Sequence, residues 1–306
     1  FKRSWRKDER ILNYDVVPAW GNRKAEDIAK RDVVVLLEKI VDRGSPAIAN
    51  NTFQIIRKMF NWAIEKDILP HTPCTGIKLP APKVVCDRVL SEAEIKAFWI
   101  NLDKCTMSPE TRSALKLILI TGQRSGEIIG MHTGEIDGDW WTIPAERAKN
   151  GKTHRVYLTS MAKELINRAV ETVKQIRDIP GSQPYNGFVF PCPHQFKDQS
   201  VNATALAVAV GRNLAGGNNR FELEHFTPHD LRRTAATFMA ESGEMDEVID
   251  AILNHAKQGV IKVYNQYRYA KEKQSALEKW SRKLRQIVGV EEPETGKIME
   301  LRRMAP

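Results

Sequence analysis

Thr227-Pro228-His229-Asp230-Leu231-Arg232-Arg233-Thr234, then Leu253-Asn254-His255 and, nine positions on, Tyr264, decide how the rest of the chain is read. Thr227-Pro228 has the form of a helix start, with Thr as N-cap and Pro at the first helical position. His229 and Arg232 then fall three residues apart in the opening turn, where such pairs share one helix surface. A helix N-terminus favours anions through its free N–H groups and its dipole. An Arg fork added there makes a site for a phosphate oxygen. Tyr264 supplies a hydroxyl that can attack phosphorus once it is positioned and deprotonated.

Upstream, Leu117-Ile118-Leu119-Ile120-Thr121-Gly122-Gln123-Arg124-Ser125-Gly126-Glu127-Ile128 reads as an apolar helix running into a Gly turn. The turn sets out Arg124 and opens a second helix, whose Glu127 can hold the guanidinium. Trp140–Pro144 and Thr153–Leu158 predict two short β-strands, with a basic connection over Glu146–Lys152. Asn150-Gly151 within it is a hairpin-turn signal, and Lys149 stands just before it. Arg124 and Arg232 are the natural clamp for non-bridging phosphate oxygens, because guanidinium forks donate aligned, permanently charged hydrogen bonds.

The chain resembles the tyrosine site-specific recombinases, in particular phage and genomic-island integrases of the satellite-phage type. The likeness rests on four motifs in order: T-G-Q-R-S-G-E-I, A-E-R-A-K-N-G-K-T-H-R-V-Y-L, F-T-P-H-D-L-R-R-T-A-A-T and L-N-H followed by V-Y-N-Q-Y. It runs from about Trp5 to Val288. It implies a mainly α fold with a small antiparallel β-sheet (α+β), in which an all-helical core-binding domain clamps DNA opposite a catalytic domain. It implies catalytic roles for Arg124, Lys149, His229, Arg232, His255 and the nucleophile Tyr264, with Glu127 in support. Lys149 would protonate the leaving 5′-oxygen, with Lys152 its competitor. His229 would take the Tyr264 proton or donate to the phosphate, and His255 would donate to a phosphate oxygen. The product would be a 3′-phosphotyrosine and a free 5′-hydroxyl, reversed by another strand's 5′-hydroxyl, with no metal, ATP or other cofactor. The partners implied are double-stranded DNA, three further protomers in a tetramer on it, and accessory DNA-bending proteins. Lys152, His154 and Arg155 are candidates for backbone phosphate contacts, though a solvated strand edge suits the last two as well. Tyr267 and Tyr269 compete with Tyr264, which its spacing from His255 favours.

Charge agrees with a polyanionic partner: the formal net charge is +9 and the pI about 9.3. Residues 1–88 hold 17 Lys+Arg against 11 Asp+Glu, a net +6. No apolar run is long enough to span a bilayer, and no signal-peptide pattern occurs. Cys74, Cys86, Cys105 and Cys192 are scattered without ligand-type pairing, and Cys192-Pro193-His194 lacks a second pair, so neither a disulfide framework nor a metal site is expected. The composition reads as that of a reduced, cytoplasmic protein, and the resemblance implies association with the bacterial nucleoid.

Residues 25–42 and 47–67 predict two helices. In the second, Thr52, Ile55, Ile56, Met59, Phe60, Ala63 and Ile64 form an apolar stripe, which assigns Phe60 and Trp62 to the core rather than to base stacking. Pro70, Pro73, Gly76, Pro80 and Pro82 predict an extended linker from about residue 71. This gives a helical core-binding domain over 1–85, a catalytic domain over 86–288 and a mobile tail over 289–306. Leu90-Ser91-Glu92-Ala93-Glu94 opens a helix with a capping box. Phe188-Val189-Phe190 is a candidate third strand. The chain starts at Phe1 without Met and reads as a fragment, so arm-site binding is not carried over. Lys271–Val288 places Leu277, Trp280, Leu284 and Ile287 on one face, and this stripe is expected to dock on a neighbouring protomer, with packing against its own chain as the alternative. Two rival functions stand: a DNA-binding protein of this fold without chemistry, and a topoisomerase-like enzyme without strand exchange.

Overall fold

The computed structural model describes residues 5–82, 87–177, 185–192, 200–215, 219–255 and 267–290. The chain divides into two compact units, Phe1–Cys86 and Asp87–Pro306.

The first unit is helical among its described residues. Trp5–Ile11 (α1) continues through a π turn into Val17–Trp20 (α2), followed by Lys30–Asp42 (α3) and Pro46–Glu65 (α4). Val33, Leu36, Leu37 and Ile40 recur at three- and four-residue spacing on α3 and meet Phe53, Ile56, Phe60 and Ala63 of α4 in one core. Phe60 belongs to that core, but Trp62 is 53 % exposed, one position too far round the helix to reach it. Met59 and Ile64 also face outward, so the true stripe is narrower than the sequence predicts. The expected linker from residue 71 is not free over its first part. The Asn50 amide donates to Ala81 O at 3.0 Å and accepts from Ala81 N at 3.1 Å, and Cys74 is buried against the same core. Prolines end helices, but they do not keep a segment from packing.

The second unit is built round Pro109–Thr121 (α6). Ser108 caps its start through its hydroxyl, and Leu115 and Leu117–Thr121 are all buried. A helix apolar on every side must be covered on every side. Glu92–Asn101 (α5), Ser125–Ile129 (α7), Ser160–Arg177 (α8), Thr204–Leu214 (α9), Pro228–Glu241 (α10), Asp246–Ile252 (α11) and Ala270–Val288 (α12) complete the helices described here. The expected capping box is present: Ser91 N donates to the Glu94 carboxylate at 2.9 Å and Ser91 Oγ accepts from Glu94 N at 3.3 Å.

Ile136–Asp137 (β1), Trp140–Ile143 (β2) and His154–Tyr157 (β3) form an antiparallel sheet in that order, with Trp141 opposite Val156 and Ile143 opposite His154. Trp141, Ile143, His154 and Val156 are buried. The fold is thus mainly α with a small antiparallel sheet. Phe188-Val189-Phe190 makes no strand of it: Phe188 forms only an isolated bridge with His132, and Val189 N donates to Met131 O at 3.0 Å.

The trans docking expected of the last helix is corrected. α12 packs into its own chain, burying Leu277, Trp280, Leu284 and Ile287 against α5, α6, α10 and α11. Trp280 is fully buried, stacks obliquely on Phe238 at 5.3 Å and donates its indole N–H to Leu119 O at 2.9 Å. An amphipathic stripe shows that a face must be covered, not which chain covers it.

Candidate active site

Three successive carbonyls at the C-terminal end of α11 organise the site. Ile252 O accepts from Gln123 Nε2 at 2.9 Å and pairs with His154 Nε2 at 3.0 Å. Leu253 O accepts from Arg232 at 2.6 Å. Asn254 O accepts from Arg124 at 3.5 Å and from Asn150 Nδ2 at 3.3 Å. The last carbonyls of a helix have no partner within it and carry the negative end of its dipole, so they suit cationic donors. Side chains from the turn after α6, from the β2–β3 connection, from β3 and from α10 are tied there to one end of one helix.

Arg232 comes from the first turn of α10. Thr227 precedes the helix, and its N–H and hydroxyl both donate to Asp230 Oδ2 at 2.8 Å, while Pro228 holds the first helical position. Arg232 is 3 % exposed and also donates to Gly122 O at 2.9 Å. Burial, and after it the neighbouring Arg124, pull its guanidinium down to about 10, so it keeps its charge at neutral pH. His229, exposed and three residues before Arg232, is also lowered, by burial and then by Arg232 and Arg233, which favours its neutral form.

Arg124 stands where α6 breaks. Gly122 has φ +66°, which an L side chain rarely adopts, and a Cβ there would come within 3.2 Å of Leu253. The Arg124 guanidinium and backbone N–H both donate to the buried Glu127 carboxylate at 3.2 Å. Two arginines and one carboxylate leave the cluster with a positive excess. His255 follows directly on Asn254, is exposed, and pairs through Nδ1 with Asp250 Oδ1 at 2.7 Å.

Lys149 is exposed in the connection over residues 144–153, which is longer than a two-residue hairpin because the strands end at Ile143 and His154. Gly151 has φ +69° and its N–H donates to Ala148 O at 3.0 Å, so Asn150-Gly151 does turn the chain, inside a longer loop. Lys152 is exposed, and its N–H donates to Asn150 Oδ1 at 3.1 Å. Arg155 is exposed and lies over the Trp140 ring at 4.7 Å. His154 is corrected: at 4 % exposure it faces the interior, and burial pushes its imidazole down to about 3. A carbonyl only accepts, so its Nε2 carries the proton donated to Ile252 O. Tyr264 lies outside the described residues. Tyr267 donates its hydroxyl to Glu272 at 2.9 Å, which pushes its pKa up, and Tyr269 takes φ +53° at the start of α12. Among the described residues no group of three or more His, Cys, Asp or Glu is placed to hold a metal.

Residues 88–271 match the Phage integrase family, and residues 2–79 match the Phage integrase central domain. The chain belongs to the phage integrase family of tyrosine recombinases. It is 28 % identical over 284 residues to prophage integrase IntZ of Escherichia coli K12, covering 88 % of this chain and 63 % of that protein. With tyrosine recombinase XerD of Lacticaseibacillus casei the identity is 24 % over 228 residues, 73 % of each chain. The chain thus spans under two thirds of the length of the E. coli prophage integrases it matches. A lambda integrase (75-356) dimer bound to a COC' core site shares its fold at a TM-score of 0.63 and 17 % identity, covering 85 % of this chain and 93 % of that one. The Tn1549 transposon integrase (aa 82-397) in complex with circular intermediate DNA matches at 0.63 and 17 %, covering 90 % and 93 %. At these identities the likeness is one of fold.

For this member of the integrase family, sequence reasoning passed over three residues. Gln123 is fully buried and bridges Thr121 O and Ile252 O, each at 2.9 Å. Asn254 takes φ +52°, and the signal for it was available, since an Asn just past a helix end is a common left-handed cap. Lys273 is 7 % exposed, donates to Arg155 O at 3.2 Å, and is lowered by burial to about 8; in sequence it looks like one more lysine of a polar helix.

Proposed function

We propose that this chain cuts and rejoins DNA strands at specific sites through a 3′-phosphotyrosine, in the integration or excision of a mobile element. The observation that carries the reading is the convergence of Arg124 and Arg232 on one helix end, flanked by His229 and His255. In this reading the remaining donors of the two guanidiniums hold the non-bridging oxygens of the scissile phosphate and neutralise charge as it builds. The Tyr264 hydroxyl attacks phosphorus and gives its proton to His229, whose neutral form the lowered pKa favours. The bond from phosphorus to the 5′-oxygen breaks, and Lys149 delivers a proton to that oxygen. His255, oriented by Asp250, donates to a phosphate oxygen. Glu127 fixes Arg124. Attack by a 5′-hydroxyl runs the step backwards, so one phosphodiester replaces another without metal or nucleotide.

The cluster's positive excess and the net +9 of the chain favour a DNA backbone as partner. In the first unit, Gln54, Arg57, Lys58, Asn61 and exposed Trp62 share the outward side of α4, which supports a DNA-clamping role for residues 1–85, with residues 86–288 as the catalytic domain. Lys152 and Arg155 are exposed and suit phosphate contacts. A lambda integrase tetramer bound to a Holliday junction shares the fold at a TM-score of 0.64 and 17 % identity, and a tetramer on DNA is proposed for this chain too. Because α12 packs in cis, it no longer argues for exchange between subunits; family membership does.

A nicked suicide substrate tests the reading. Covalent adduct followed by recombinant product is expected. Adduct without recombinant product would indicate a relaxing enzyme, and binding without adduct a protein that keeps the fold but not the chemistry.

A further inference from the structure

The connection that carries Lys149 is pinned on both sides of it. On the near side, Arg147 donates to Glu135 Oε1 at 3.2 Å and to Glu127 O at 3.2 Å. On the far side, Asn150 and Asn254 face each other amide to amide: Asn150 Nδ2 donates to Asn254 Oδ1 at 2.7 Å, and Asn254 Nδ2 donates to Asn150 Oδ1 at 3.4 Å. Asn150 also reaches Asn254 O, the carbonyl that takes Arg124, and its own Oδ1 holds Lys152 N. Asn254 immediately precedes His255 and stands in the left-handed region at φ +52°, which turns its amide back toward the connection. Short polar side chains tolerate that conformation.

From this juxtaposition we infer that the Asn150–Asn254 pair is a positioning latch, which sets the leaving-group acid Lys149 in register with His255 and Arg124. The inference rests on the reading of Lys149 as that acid. Between the Arg147 anchor and the latch the backbone of Lys149 has little freedom, while its exposed amine stays free to reach a substrate oxygen. Releasing the latch frees the far side of the loop, so the amine spends less time where the 5′-oxygen departs. The oxygens held by the arginines are unaffected.

The test uses the full chain and the variants Asn150→Ser, Asn254→Gly and the double variant. Glycine adopts φ +52° freely, so Asn254→Gly removes the amide and leaves the backbone in place. Single-turnover cleavage is measured on the natural phosphodiester and on a substrate whose bridging 5′-oxygen is sulfur, a leaving group that needs no proton. Lys149→Ala is run alongside, and DNA affinity is measured for all. On the oxygen substrate each single variant is expected to slow cleavage by about 10- to 100-fold at unchanged affinity, the scale of an ångström-size misplacement. On the sulfur substrate each should return to near the wild-type rate, as Lys149→Ala should. The double variant should be no slower than the worse single one, because both remove one contact. Equal slowing on both substrates, or wild-type rates on oxygen, overturns the latch while the cleavage reading stands. Failure of sulfur to restore Lys149→Ala overturns it through the acid. Absence of adduct from the wild-type chain on either substrate overturns the reading itself.

Discussion

Arg232 has two employments, one at the phosphate and one inside its own chain. Both arginines should act on the phosphate, so Arg124→Ala and Arg232→Ala are each expected to slow single-turnover cleavage by about 100- to 1000-fold. Arg232 also satisfies two buried carbonyls, Gly122 O and Leu253 O. Its removal should in addition lower unfolding stability by about 1–3 kcal/mol for each carbonyl left without a partner, read from denaturant midpoints. Tyr264→Phe should abolish covalent attachment and spare DNA binding, whereas Tyr267→Phe, whose hydroxyl is committed to Glu272, should keep the adduct. His154 gives a pH signature. Its folded value of about 3 lies below the ordinary 6.5, so between those values the unfolded chain binds more protons than the folded one. Stability present above pH 6.5 is therefore lost as the pH falls toward 3, by a few kcal/mol in order of magnitude. His154→Gln keeps a donor for Ile252 O and has no proton to gain, so its denaturation midpoint should vary less over that range. The sequence shows why one histidine was placed better than another. His229 and Arg232 announce themselves by a local signal, a capped helix start, whereas the burial of His154 depends on strand register and on what covers the sheet.

At the scale of elements, α12 decides the integrity of the second unit. Trp280→Ala should cost about 3–5 kcal/mol, since a fully buried indole is lost along with its bond to Leu119 O. Removal of residues 270–306 should unfold the second unit rather than only impair assembly, as circular dichroism and denaturation would show; a cooperatively folded truncated chain would refute this. Helix existence was readable where periodicity is strong, as in α3, α4 and α12. The first helical stretch, Trp5–Trp20, carries too little apolar periodicity to be read, and it contributes chiefly Val16 and Trp20 to the core. The two main strands were readable from their β-branched and aromatic runs. β1, only Ile136–Asp137, was not, because a two-residue strand exists by pairing and not by propensity.

For the whole molecule, the division at Cys86 and Asp87 lets each unit be tested by itself. The front 88 residues carry +6 of the net +9, so residues 87–306 alone should bind DNA more weakly and with a flatter salt dependence than the full chain. Filter binding or anisotropy across salt concentrations measures both, and equal affinity and slope would remove the first unit from the interface. Trp62→Ala in the full chain should weaken binding without loss of stability, because that ring supports no core. The late position of α12 matters for how the protein is made. Translation delivers the arginines, the histidines and the tyrosine before it delivers Trp280, the side chain that closes the hydrophobic core round α6. A nascent chain halted before residue 270 holds every group of the proposed chemistry on an unfinished scaffold. The order of synthesis thus leaves the core round α6 uncovered until residues 270–288 have been made.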